Sequence, residues 1–461
     1  MSSLFGSLSI AVRSLLAHRG ALNTIANNLS NVNTLGYSRQ LAILSELRPL
    51  VPGRISVGNG VDFEGVQSVR DIILELRIDE ETQQQNRLKS FVSSMSQVQS
   101  LFNETEGAGL NDAINRLFNS LQELSVNPIL TPARQVVISA AKNLASAFRA
   151  TGLQLRVIQE KVDQEVRQTV EEINLDTAQL ASLNQPVASL LGDSEQAGRL
   201  EHQRYSVLSR LSELLDVVVT HPGDGSLTVT TCNGVPLVAA AQSVAPSTAA
   251  DADTGFLHIF SPSADVTSKF TGGQLAGLLE ARDLAIPSTI SDVDNLAYDM
   301  IRIVNIQNRK GRDLQGDPGS NFFQPVVQLS PGAKAGAAEG FAMAITDPSR
   351  IAARAGGTRG DNANALAMAN IQNQAVVNGE TATHFYSNLV WTVGNKVASA
   401  TDEQEAVGLV LTQLQNQRAD IAGVSLDEEA ANLIRYQRAY EAAAEVVAAI
   451  NEMTNEVIPT L

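Results

Sequence analysis

Apolar residues near the start of the chain recur at spacings of three and four: Leu4, Leu8, Ala11, Leu15, Leu22, Ile25, Leu29 and Val32, a stripe that only His18 interrupts. This is heptad spacing, which lays one apolar seam along a helix about 45 Å long. Taken alone, such a stretch is usually a helix packed on the core of its own domain. The far end of the chain carries the same pattern. After Ser425 and Asp427, which suit a helix start, Leu433, Tyr436, Tyr440, Ala443, Val447, Ile450, Thr454 and Val457 form a second seam. This helix is expected to reach Ile458 and stop at Pro459. Two single-seam helices at opposite ends of one chain predict that the ends pair with each other.

Between them the pattern alternates. Residues 38–70 read as short strands, with Pro49, Pro52, Gly53, Gly58 and Gly60 as breakers. Helical periodicity covers about 70–104, 110–126 and 132–184, with Thr131 before Pro132 as cap and first turn, and then Arg199–Leu215. Asp216–Phe270 is rich in Val, Thr, Gly and Ser, and Asn233-Gly234 between Ser226–Thr231 and Val235–Val238 predicts a hairpin. Helix returns at 274–309, a glycine-rich region spans 311–360, and helices resume from Asn362. The expected fold is mainly α with inserted β: long terminal coiled-coil helices, a helical body domain and a small central β-domain. Residues 1–37 and 424–461 form the terminal pair in this reading. Residues 38–215, 271–320 and 361–423 form the body with its β-hairpin region, and 216–270 with 321–360 form a small outer unit of strands and loops.

Charge strengthens the pairing. Met1–Ser45 contains no acid, only Arg13, Arg19 and Arg39, whereas 427–456 has Asp427, Glu428, Glu429, Glu441, Glu445, Glu452 and Glu456 against Arg435 and Arg438. Helices of opposite sign are suited to meet. An acid-poor, amphipathic start also fits a mitochondrial presequence, but a discarded presequence needs no matching partner at the other end. The 461 residues suggest several domains, and 44% hydrophobic with only 4% aromatic content points to elongated helical packing. A net charge of −16 argues against nucleic acid as a partner. No apolar run approaches a membrane span, and Arg13 and His18 break what would be a signal peptide. The single cysteine, Cys232, cannot form an intramolecular disulfide.

Candidate chemistry is sparse. His18, His202, His221, His258 and His384 are scattered without ligand spacing. Gly58-Asn59-Gly60 lacks the third glycine of a dinucleotide loop and reads as a turn. Asp251 and Asp253 hint at a calcium loop, but Pro262 stands where the closing glutamate belongs. Arg359-Gly360-Asp361 matches an adhesion tripeptide, a pattern short enough to arise by chance. Asp427, Glu428 and Glu429 could be imagined as a hydrolytic acid pair, yet their place at a helix start fits dipole stabilisation better. No nucleophile motif is evident.

The stretch Asn27-Asn28-Leu29-Ser30-Asn31-Val32-Asn33-Thr34-Leu35-Gly36-Tyr37-Ser38-Arg39 resembles the signature shared by bacterial flagellar rod, hook and hook-associated proteins. Asn and Ser weaken the helix end and Gly36 permits the turn out of it; Leu35 stands where the family often has proline. Three further segments are similar to the hook-associated protein 1 (FlgK) family. They are Val57–Val61 with Gly65-Val66-Gln67 and Arg70-Asp71, then Asn308–Gly316 leading to Phe322-Phe323, and Ile421–Ile434 with Tyr436–Tyr440. The family residues are Asn27, Asn28, Asn31, Asn33, Gly36, Tyr37, Gly423, Asp427, Glu428 and Glu429. Leu4, Leu8, Leu15, Leu22, Ile25, Leu29, Val32, Leu433, Tyr436, Tyr440, Val447 and Ile450 are the expected assembly seam.

The resemblance implies a structural subunit of the hook–filament junction, extracellular on the bacterial flagellum and exported unfolded by the flagellar type III apparatus without a cleaved signal peptide. It implies a ring of identical subunits beside the hook protein and hook-associated protein 3, and an export chaperone on the C-terminal helix. Cofactor, metal and catalytic residues are expected to be absent, as are nucleic-acid and membrane partners. The central β region is short for the family, so an outer domain is reduced or missing. The alternatives are another axial subunit, such as the hook or distal rod protein, or an enzyme fused to an axial-type N-terminus.

Overall fold

The computed structural model describes residues 2–34, 37–47, 58–103, 109–189, 194–223, 225–326 and 334–457; Leu35, Gly36, Val57, Ile458 and Pro459 lie outside them, as does the side chain of Leu4. The first helix, α1 (Ser2–Ser30), is followed by a hairpin of β1 (Gln40–Glu46) and β2 (Val61–Ser68). The body contains α2 (Ile72–Leu101), α3 (Leu110–Val126), the 59-residue α4 (Thr131–Ser189) and α5 (Ser194–Leu214). Seven short strands then form two antiparallel sheets. One orders β3 (Val218–Thr220), β4 (Thr228–Thr230), β5 (Pro236–Ala239) and β6 (Gln242–Ser243); the other orders β7 (Ser247–Ala250), β8 (Leu257–Ser261) and β9 (Ala264–Asp265). The chain returns through α6 (Gly273–Glu280), α7 (Ile286–Lys310), α8 (Ala363–Ala369), α9 (Ala382–Ala422) and α10 (Leu426–Val457).

Local chemistry sets these boundaries. The Asp71 carboxylate accepts from the Ile73 and Leu74 N–H groups, and the Thr381 hydroxyl accepts from that of His384, so each caps a helix start. Gly234 sits at φ 79° in the turn that pairs β4 with β5. The expected helix ending near 184 runs on through Pro186 to Ser189. There the Asn184 amide donates to the carbonyls of Leu227 (2.8 Å) and Ala240 (2.7 Å) and accepts from Leu227 N–H, fastening the end of α4 to a sheet. The expected continuous helix at 274–309 is interrupted by a π turn at Ala281–Ala285. Its extra residue turns Arg282 inward, where the guanidinium meets Asp163 (2.6 Å), Asp283 (2.7 Å) and the Leu257 carbonyl (2.8 Å).

Buried side chains from Leu88 to Ala400 form one contiguous core that includes both the helical body and the sheets. The described parts of the segment expected beside 216–270 in an outer unit, residues 321–326 and 334–360, pack into the body instead. Phe341 stacks on Phe148 of α4 at 4.7 Å and meets Phe323 edge-on at 4.7 Å, and all three rings are buried. The Asn305 carboxamide holds the backbone N–H groups of Phe322 and Phe323, both at 2.8 Å, and the Asp294 carboxylate holds those of Gly336 and Ala338. Glycine content signalled loop, but aromatic burial and satisfied backbone made that loop a wall of the core.

The helices α2 and α9 run antiparallel, with their Phe102–Tyr386 end inside this core and their Glu75–Arg418 end extending from it as a stalk. A separate small cluster of Leu74, Ile78, Leu411 and Leu414 fills its foot. The terminal helices contribute to neither cluster among the described residues.

Candidate assembly site

At the foot of the stalk α1 and α10 pack against each other, and α10 begins where α1 ends. The His18 and Tyr436 rings lie 5.9 Å apart midway along the pair. Equal rise in opposite directions then sets Ala11 level with Ala443 and Ile25 level with Glu429, and all four are buried. A second face of α1 is covered by the β1–β2 hairpin. A Cβ on Gly20 would come within 2.6 Å of the Phe63 ring, and one on Gly60 within 3.2 Å of the Ile10 side chain.

The joint between this pair and the stalk is polar and highly connected. The buried Asn28 amide donates to the Gln40 carbonyl (2.8 Å) and accepts from Gln40 N–H and the Tyr37 hydroxyl, each at 2.9 Å. Asn27 donates to the Gln40 side chain at 3.1 Å, and Asn31 donates to Asn27. Arg39 then bridges the chain ends. Its N–H donates to the Ala422 carbonyl (2.8 Å), its Nη1 to Glu428 (2.5 Å) and its Nε to Glu429 (2.7 Å), a carboxylate only 2% exposed. Burial lowers the Arg39 pKa, but the bonds to Glu428 and Glu429 outweigh it and leave it raised. Burial, with Glu429 adding, pushes the Tyr37 hydroxyl up to about 12, so it stays a neutral donor. Burial lowers His18, whose Nδ1 is enclosed without a partner.

Gly423 makes the break between α9 and α10. Its N–H closes onto the Ala419 carbonyl, and a Cβ there would lie 2.2 Å from that same oxygen. Ser425 starts the next helix, its hydroxyl receiving the Glu428 N–H at 3.4 Å, with Asp427, Glu428 and Glu429 in the favoured first turn.

The expected seam residues divide. Ile25 and Ile450 are buried; Leu8, Leu15, Leu22, Val32, Tyr436 and Val447 are half-buried; Leu29, Leu433 and Tyr440 are exposed. Of the signature residues, Asn28 and Glu429 are buried in the joint, Asn27, Asn31, Tyr37 and Glu428 bond around it, and Asn33 and Asp427 face solvent. Sequence reasoning counted Arg39 among the bases of the acid-free start but did not pair it with Glu428 and Glu429, and it did not name Gln40. A lone base just beyond an acid-free helix, opposite three clustered acids, was the available signal.

Other motifs are locally consumed. The Asp361 carboxylate of the adhesion-like tripeptide accepts from the N–H groups of Ala355, Gly356, Gly357 and Ala363, which depress its pKa to about 2. Asp251 is spent on Asp253 and Thr254. In Asn308–Gly316, Asp313 accepts from the N–H groups of Gln315, Gly316 and Asp317, while Asn308 spans Ser320 and Ala352. Among the described residues no group of three or more His, Cys, Asp or Glu side chains could hold a metal ion, and no helix is long and apolar enough to cross a membrane.

A helix pair formed from both chain ends is jointed here to a helical body with peripheral sheets, and the matches to known proteins place this arrangement among the structural proteins of the bacterial flagellum. Residues 95–323 match the flagellar hook-associated protein FlgK helical domain, 8–37 the flagella basal body rod protein family, and 415–458 the C-terminal region of the flagellar basal body rod FlgEFG proteins. The chain is 29% identical to flagellar hook-associated protein 1 of Bacillus subtilis over 505 residues, covering 99% of this chain and 98% of the relative. It is 27% identical to that of Escherichia coli over 548 residues, covering 99% and 100%. The flagellar hook junction protein FlgK from Burkholderia pseudomallei shares the fold, with a TM-score of 0.67 at 19% identity over 75% of this chain and 100% of that one.

The chain belongs to the flagellar hook-associated protein 1 (FlgK) family. It is a structural subunit of the hook–filament junction of the bacterial flagellum, not an enzyme. The terminal matches are shared with rod proteins; the helical-domain match decides against a hook or distal rod subunit.

Proposed function

We propose that the chain joins hook to filament through its terminal helix pair, which lines the inner tube of a ring of identical subunits while the body stands outside. The observation that carries this is an inversion of packing. Beside Ile25 and Ile450, the apolar residues buried on these helices are Ala11, Ala17, Ala21 and Ala443, whereas Val12, Leu16 (58% exposed), Leu426, Leu433, Ile434, Tyr440, Val446 and Met453 face solvent. A helix pair that buries mostly small residues and displays many of its large apolar ones has much of its burial still to come, at roughly 25 cal/mol per Å² of apolar surface covered. Neighbouring copies, the hook protein and hook-associated protein 3 supply that cover after export through the type III apparatus. Before export a chaperone holds the C-terminal helix, with anchors three and four residues apart.

A strain lacking the gene and supplied with a chain truncated before residue 425 is expected to make hooks without filaments, while the purified truncated chain keeps the thermal transition of its body. Filaments growing from that strain would overturn the tube role. Val447→Asp is expected to weaken both chaperone binding and junction assembly, because a carboxylate at that half-buried position meets no partner in either complex. Normal chaperone affinity, measured by calorimetry, would rule out a shared surface.

A further inference from the structure

Resting on that reading of the terminal pair, we propose that Arg39 is a register pin: it fixes the axial position of α10 on α1 and so sets which apolar side chains the pair presents to its neighbours. The need for a pin follows from the seam. Alanine makes up much of the buried seam, so the contacts through Ala11, Ala21 and Ala443, beside Ile25 and Ile450, resist sliding less than interlocked leucines would. Heptad spacing adds to this, since a slip of one heptad returns seam to seam. Such a slip moves α10 by about 10 Å and exchanges every exposed residue for the one seven places on. Something other than packing must therefore select one register.

The joint has the required construction. Asn28 and Tyr37 seat Gln40 on the last turn of α1, so residue 39 is held relative to that helix. The Arg39 fork then engages two successive carboxylates at the first turn of α10, and its N–H is held by the last residue of α9. Glu429 is buried, so any slip removes its counter-charge and strands a carboxylate away from water. An ion pair of this kind adds little to stability compared with an apolar substitute, but it discriminates sharply between alternatives. The neighbouring His18–Tyr436 contact reports the register without defining it.

The test uses the full-length chain with Cys232→Ser and a pair of engineered cysteines, either His18→Cys with Tyr436→Cys or His18→Cys with Ala443→Cys. In the native register the first pair faces across the helices, its rings 5.9 Å apart, whereas the second is offset by about 10 Å along the axis. Arg39→Met alone leaves Glu429 buried and unpaired, which can unfold the joint, so the decisive variant is Arg39→Met with Glu429→Met. It is expected to keep the pair helical by circular dichroism. The ratio of 18–443 to 18–436 product should rise roughly tenfold, the factor set by losing a discrimination about as strong as one charge-assisted hydrogen bond. Arg39→Lys, which cannot fork across both acids, should fall between. Unchanged selectivity in the double variant would overturn the proposal, and so would loss of both products, which would make Arg39 a requirement for pairing and not for register. The cross-links are read on the purified chain and the junction role in the deletion strain, so either reading can fail without the other.

Discussion

The body and the terminal pair are both mainly helical, yet they are held together in opposite ways. In the body the largest side chains are innermost: Phe118, Phe148, Phe322, Phe323 and Phe341 are all buried in a core that runs from Leu88 to Ala400. In the terminal pair the innermost residues are mostly small, and leucines, valines and a methionine lie outside. The body encloses its largest side chains even though others, such as Leu175, Trp391 and Leu409, face solvent; the pair encloses mostly small ones. Stability therefore belongs to one region and assembly to the other, and a substitution should disturb one or the other according to where it falls.

The largest effect on folding is expected from Phe341→Ala, which empties a site stacked on Phe148 and should cost about 3–5 kcal/mol in denaturant unfolding. Junction assembly should fall only in proportion to the folded fraction. Arg282→Met comes close behind. It leaves Asp163 without its partner at the seam between α4 and the sheets, at about 3 kcal/mol or more, and increased amide exchange in β8 would locate the damage.

The stalk between the two regions should respond to pH. Burial, with Glu75 adding and Arg418 opposing, raises Asp79 from 3.8 to about 7. Below pH 3.8 both folded and unfolded chains hold this proton. Between 3.8 and about 7 the folded chain keeps it while the unfolded chain has lost it, so the contribution of Asp79 to stability falls as pH rises and is gone above 7. Melting temperatures measured at pH 5 and pH 8 should differ less in Asp79→Asn than in the native chain. An equal difference in both would remove Asp79 as the source of the pH response.

The smallest folding effect should come from Leu16→Ala or Leu433→Ala. Both residues face solvent in the single chain, and each change should alter unfolding by no more than about 0.5 kcal/mol. Filament attachment should nevertheless fail in the double variant. Normal motility with both changes would break the comparison, because the exposed apolar face would then have no role in assembly.

Much of this architecture is legible in the order of residues alone. The α3 boundaries, the Asn233-Gly234 hairpin and the start of the last helix at Ser425 follow from periodicity, turn chemistry and capping. Other features resist such a reading because they depend on residues far apart in the chain. The second buried face of α1 exists because Phe63 lies against Gly20, and no spacing within α1 announces it. The π turn is invisible in a sequence that reads as smooth helix, because the ion pair at it joins Arg282 to Asp163, over a hundred residues earlier.

By itself, then, the sequence determined that both ends are single-seam helices of complementary charge and that helices frame a small β region, because periodicity and charge are local properties of the chain. Only the tertiary structure decided which side of each terminal helix is hidden. The hairpin takes one face of α1, α10 takes another, and the heptad residues left over, Leu29, Leu433 and Tyr440, turn outward. Which side of an apolar helix is buried depends on what arrives beside it, and here Arg39, reaching Glu428 and Glu429 across the length of the chain, ties the arriving helix in place.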